Sequence, residues 1–246
     1  MDTLLTVNVS HRSALERQMD VIANNMANIG TTAYKGERVV FSDYVMDMDA
    51  ETPRGGDEVA FTLDYGTIRS TENGPIKSTD NPLDIALQGN GFFEVRSESG
   101  ETLYTRRGHL TRDAEGFLAL PTGERVVDAA GDPVDLTGLT IPPKINADGT
   151  ISGPDGQIGA FNLVEFADDR ALERRENSLF AATGQQAQPA QDLVLVQGAL
   201  EGSNVDPIKE TVKMIQVMRA YQSAQKSADS VNDVREKAIE RLPRAN

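Results

Sequence analysis

Cysteine and tryptophan are absent from the 246 residues, and histidine occurs only twice. Without thiols there is no disulfide scaffold, no thiolate-held zinc, no iron–sulfur cluster and no cysteine nucleophile. Two histidines are too few for a histidine-rich metal site. Aromatic residues make up 5%, which leaves little to stack on sugars or single-stranded bases. Positive charge is also scarce, with 24 Lys and Arg against 38 Asp and Glu and a net charge of −14. That balance argues against nucleic acid as a main partner, because phosphate binding needs a basic face. No stretch approaches the roughly 18–20 apolar residues of a membrane-spanning helix. The amino end lacks the basic start of a secretory signal, and Asn8, His11, Arg12, Glu16 and Arg17 interrupt its apolar residues. On composition alone the cytoplasm is the expected compartment.

What is present is unevenly distributed. Apolar residues make up 39%, enough for a core, and the length allows one or two domains. Residues 1–40 carry four acids and four bases, and residues 205–246 carry six acids and eight bases. Residues 41–204 hold the other 28 acids and 12 bases, so the whole negative excess lies in the middle. Of the 21 glycines, 19 lie there and none lies in 205–246. Glycine is costly inside helices and useful in turns. The expected fold is α+β: long amino- and carboxy-terminal helices around a central β-rich domain. The domains read as 1–40, 41–70 as a linker or extended segment, 71–204, and 205–246.

The first helix is predicted over about Leu4 to Asn28. Leu15, Met19, Ile22 and Met26 repeat with heptad spacing. Asn24, Asn25 and Asn28 form an amide-rich patch near its end, suited either to capping or to hydrogen bonding with a neighbouring helix. The last helix is predicted from an Asp206 cap and Pro207 at the first helical position, with no further Gly or Pro until Pro243. Met214, Met218, Tyr221, Ala224, Ala228 and Val231 belong to its apolar stripe. On a helical wheel Ile208, Val212 and Ile215 form one arc, and Met214, Val217, Met218 and Tyr221 form another. One partner helix covers one arc, so a second arc calls for a second partner.

Between the helices, turn signals recur at Asn73-Gly74, Asn90-Gly91, Ser99-Gly100, Glu115-Gly116, Asp148-Gly149 and Asp155-Gly156. They bracket candidate strands at 92–95, 103–105, 117–120, 161–166 and 193–196. Residues 46–60 read as an acidic loop. No chemistry-bearing constellation stands out. There is no phosphate-cradling Gly-x-x-x-x-Gly-Lys run and no Gly-x-Ser-x-Gly nucleophile turn. His11 and His109 read as surface or structural residues, and Asp168-Asp169 beside Arg170 as a solvated loop. No catalytic, cofactor or metal site is expected.

Four motifs carry a resemblance. Ala23-Asn24-Asn25-Met26-Ala27-Asn28 with Thr31-Thr32-Ala33-Tyr34-Lys35 resembles the amino-terminal signature of flagellar rod, hook and hook-associated proteins. Leu83-Asp84-Ile85-Ala86-Leu87-Gln88-Gly89-Asn90-Gly91-Phe92-Phe93 resembles their central motif, as does Tyr104-Thr105-Arg106-Arg107-Gly108. Gly202-Ser203-Asn204-Val205-Asp206 and Arg219-Ala220-Tyr221-Gln222 resemble the carboxy-terminal signature. The motifs stand in the family's order and cover nearly the whole chain. One residue departs: Ala33 stands where the family usually has Gly. A positive-φ turn would strain Ala there, which leaves Gly30 to take that role.

The resemblance implies a structural subunit of the bacterial basal-body rod, of proximal-rod type, with the distal-rod type as the alternative. It implies copies of itself, other rod proteins and the flagellar type III export apparatus as partners. It also implies a rod position across the periplasm, reached without a cleaved signal, which replaces the cytoplasmic expectation. Membrane insertion, nucleic acid and small-molecule substrates are not implied. The helix residues named above, Leu15 to Asn28 and Ile208 to Val231, are the expected subunit contacts, forming a coiled-coil-like tube. The competing class, a secreted binding protein or enzyme, would need a pocket with converging polar groups.

Overall fold

A computed structural model of the chain describes residues 2–47 and 58–241. The chain divides into two compact units. One is built from residues 1–27, 37–69 and 206–246, the other from 28–36 and 70–205.

The first unit contains helix α1 (Asp2–Ala27), strands β1 (Glu37–Asp47) and β2 (Glu58–Arg69), and helix α2 (Pro207–Arg241). Both helices match the expected α+β outline. The heptad positions of α1 meet α2 directly: Leu15, Ile22, Val217 and Ala224 are buried together, with Met19, Met26, Met214, Ala220 and Tyr221 partly buried around them. The helices run antiparallel. Arg12 donates to the Tyr221 hydroxyl at 3.0 Å, whereas Asn25, further along α1, reaches Glu210, earlier in α2. The small Ala220 and Ala224 let the backbones approach. Segment 41–70, expected as linker or extended chain, lies largely in β1 and β2, which pair antiparallel along their length and lie against α1. The register shifts between Val40 and Phe41 opposite Gly66, whose φ of 113° suits glycine. Most of the acidic loop expected at 46–60 lies outside the described residues.

The second unit is β-rich. Its strands include β3 (Ile76–Ser78), β4 (Ile85–Gln88), β5 (Phe92–Arg96), β6 (Thr102–Thr105), β7 (Thr111–Arg112), β8 (Leu118–Ala119) and β9 (Arg125–Val126). In the main antiparallel sheet, β5 pairs with β6 on one edge and with both β9 and Leu163–Glu165 on the other. Both faces of β5 are covered, which explains the unbroken Phe92-Phe93. Phe93 and Val95 join a core with Ile85, Leu87, Leu118, Val126 and Ile151. Phe92 packs instead with Tyr104, Val164, Phe166, Leu172 and Phe180, its ring edge-on to Phe166 and Phe180 at 5.9 and 5.7 Å. Residues 144–145, 150–153 and 156–160 form a separate three-stranded sheet. Two long-range pairs close the unit: β4 with Val194–Gln197, and β3 with Ala199–Glu201.

The expectation for Gly30 is corrected. Ala33 itself adopts φ 54°, and Gly30 is not among the positive-φ residues. The Ala33 N–H donates to the Glu201 carbonyl at 2.8 Å and Ala33 is buried, so the surroundings fix the strained turn. His109 is structural, its Nδ1 2.7 Å from the Asp84 carboxylate. No helix among the described residues is long and apolar enough to cross a membrane.

Candidate functional site

The site begins where α2 begins. The Asp206 carboxylate accepts the N–H groups of Ile208 at 2.9 Å and Lys209 at 3.2 Å, and its carbonyl accepts the N–H of Glu210. Two of the orphan donors of the first turn are thereby satisfied. The Lys209 N–H, chiefly, holds the Asp206 carboxyl below its ordinary value.

Downstream of this cap the two apolar arcs separate as the wheel requires. Val217 and Ala224 face α1, with Met214 and Tyr221 half-buried beside them. Ile208, Val212 and Ile215 remain 75%, 48% and 46% exposed. Met218, grouped in sequence with the first arc, belongs to the second at 45% exposed. Consecutive residues point about 100° apart, which carries Met218 off the face that Val217 gives to α1. Four large apolar side chains thus line one outer face within three turns. The same face continues with the polar Arg219, Gln222 and Lys226, so the stripe ends at Met218. Ala228 and Val231 are half-buried further along.

The amide patch divides into separate roles. Asn25 is buried and bonds Glu37 twice, donating to its carbonyl at 2.8 Å and accepting its N–H at 2.9 Å. Its Nδ2 is 3.4 Å from Glu210, which also holds Lys213 at 2.6 Å. One amide therefore ties α1 to β1 and to α2. Asn28 acts locally, accepting the Thr31 hydroxyl and N–H. Asn24 is exposed.

In the β-rich unit several motifs of the sequence converge on one buried carboxylate. Glu201 is 1% exposed. It accepts Lys35 Nζ at 2.8 Å, Arg106 Nε at 2.9 Å and the N–H of Gly74 at 2.9 Å. Lys35 also donates to the Glu72 carbonyl and to Asn73, and Arg106 to the carbonyls of Gly91 and Leu87. Burial pushes the Lys35 ammonium below its ordinary value, against the pull of Glu201. Gly74 has no alternative: a Cβ there would stand 2.0 Å from the Gly202 carbonyl oxygen. Beside this node, Asn204 accepts the N–H of Gly36 and donates to Ser70 Oγ and to the Glu72 carbonyl. Sequence reasoning did not single out Lys35, Arg106 or Glu201. The available signal was that each lies in or next to a motif, but their pairing spans 95 and 166 residues.

The arrangement ties the elements of each unit together and leaves one apolar face of α2 exposed. The comparisons agree in kind. Three family models match in succession: "Flagella basal body rod protein" over residues 6–35, "Flagellar hook protein FlgE/F/G D1 domain" over 86–160, and "Flagellar basal body rod FlgEFG protein C-terminal" over 196–241. Flagellar basal-body rod protein FlgF of Caulobacter vibrioides is 34% identical over 247 residues, covering 100% of both chains. The chain belongs to the flagellar basal-body rod protein family. FlgF of Mesorhizobium japonicum is 33% identical, covering 91% of this chain and 90% of its own. FlgG of Caulobacter vibrioides is 31% identical over 87% and 89%. The likeness favours the FlgF type over the distal-rod alternative. This rod-family chain is a structural subunit of the flagellar basal body and not an enzyme. Such a subunit assembles with other rod components.

Proposed function

We propose that the subunit builds the proximal rod through its terminal helices, which neighbouring subunits complete. The carrying observation is the exposed stripe of Ile208, Val212, Ile215 and Met218 on α2, whose opposite face α1 already covers. Burial returns about 25 cal/mol per Å² of apolar surface. A helix that is already ordered gains this with little further entropic cost, so each neighbour adds stability. Contacts of this kind, repeated head to tail without closing, generate a helical tube. In this reading α1 and α2 form the wall of the axial shaft and export channel, and the negative charge of span 41–204 favours solvent. Its partners are copies of itself, other rod proteins and the flagellar type III export apparatus. Its place is the rod across the periplasm.

The test places a charge on the stripe. Val212→Glu with Ile215→Glu is expected to leave helix content and thermal unfolding of the isolated chain unchanged and to abolish rod assembly and motility. Normal rods from that variant would overturn the helix-face reading. Removal of residues 1–30 or 207–246 is expected to have the same consequence for assembly.

A further inference from the structure

We propose that Glu201, with Lys35 and Arg106, is a latch that closes last as the β-rich unit folds and brings the chain's exits from that unit together. Three observations carry it. First, the two cations are held by their own surroundings without Glu201: Arg106 by the carbonyls of Leu87 and Gly91, Lys35 by the Glu72 carbonyl and Asn73. Among the described residues, Glu201 bonds both of them. Second, Glu201 lies 166 residues from Lys35 and 95 from Arg106, whereas the hairpin of β5 and β6 joins residues separated by a short turn. Loop closure makes local pairs form ahead of distant ones. A carboxylate taken from water with one cation missing is strongly disfavoured, so the three charges are buried together or not at all.

Third, the latch sits where the chain leaves the unit. The backbone of Ala33 donates to the Glu201 carbonyl, and that of Asn204 to the Tyr34 carbonyl. Asn204 holds Gly36 and Ser70 through its side chain, and Ser70 N–H donates to the Gly36 carbonyl at 2.8 Å. Gly36, Ser70 and Val205 are the unit's boundary residues toward β1, β2 and α2. The β1–β2 pairing sets Glu37 opposite Arg69 and so already keeps Gly36 near Ser70; closure adds Val205 to them, and the three exits then leave side by side. The latch thereby sets when the segments that carry the helices are brought together.

Pulsed hydrogen exchange during refolding of the full chain tests this. The amides of Val95, Val127 and Leu118, in or beside the main sheet, are expected to become protected in an earlier phase. Those of Ala33, Gly36, Gly74 and Asn204 are expected in a later one. Simultaneous protection, or protection of the latch amides first, overturns the proposal. In the same chain Glu201→Gln is expected to speed unfolding at least tenfold while refolding of the main sheet changes less than twofold. Equal slowing of sheet refolding places Glu201 in the early nucleus and also overturns it. If Glu201→Gln does not fold, Asn204→Ala, which removes only the clasp, is measured the same way with the same expectation for the late phase.

Discussion

At the scale of single residues, the most informative position is Ala33. An L-residue at φ 54° bears a cost of about 1–2 kcal/mol that glycine escapes. Part of that gain is offset by the lost methyl burial and the freer unfolded chain. Ala33→Gly is therefore expected to stabilise the β-rich unit by about 0.5–1 kcal/mol, read as a higher denaturant midpoint at unchanged slope. A lower midpoint would show that the methyl group matters more than the turn. Glu201→Gln is expected to cost about 3–5 kcal/mol, since it leaves two cations facing a neutral amide in the interior. Asp206 supplies a pH-dependent contribution. Its native carboxyl lies below the ordinary value of 3.8, so the cap's charge-dependent stabilisation is complete above that value and is lost as pH falls through the native one. Asp206→Asn keeps a capping side chain without the titration. Thermal unfolding followed at helix wavelengths from pH 5 to pH 2 should fall less steeply for the variant than for the parent; parallel curves would refute the assignment.

At the scale of elements, the two helices were legible because their signals are local. A cap, a heptad and the absence of glycine over more than thirty residues need no knowledge of distant chain. The two arcs of α2 were legible for the same reason, apart from Met218, whose side of the wheel was settled by where α1 lies. β5, β6 and Val194–Gln197 were recognised to within a residue, because each is bounded by turns and filled with apolar residues. β1 and β2 were not recognised as a pair: Asp43, Asp47, Glu58 and Asp64 interrupt the alternation, and the α1 and Asn25 contacts that accompany the pair lie elsewhere in the sequence. The charged node was invisible, because Lys35, Arg106 and Glu201 look like surface residues until the topology brings them together. The helix pair also makes a packing prediction. Ala224 is buried against α1, so Ala224→Leu is expected to cost about 1–3 kcal/mol by overpacking. Helical content lost at lower temperature than in the parent would show it; an unchanged transition would mean that α1 has room to yield.

At the scale of the whole molecule, charge and apolar surface oppose one another. The span 41–204 carries an excess of sixteen negative charges, so like subunits repel at a distance, while the contact proposed for the α2 stripe would act only at short range. The Debye length falls from about 10 Å at 0.1 M to about 3 Å at 1 M. Raising salt is expected to lower the concentration at which the chain sediments as polymer, and insensitivity to salt would count against charge repulsion between subunits.

The threading of the chain has a practical corollary. Excising 70–205 as a self-contained domain would discard Lys35 and the buried Tyr34, leaving a desolvated carboxylate with one of its two cations. Since Gly36 and Ser70 are already hydrogen-bonded neighbours, splicing one to the other through a brief glycine bridge should yield a soluble miniature that lacks the hairpin and both helices and still melts as a single body.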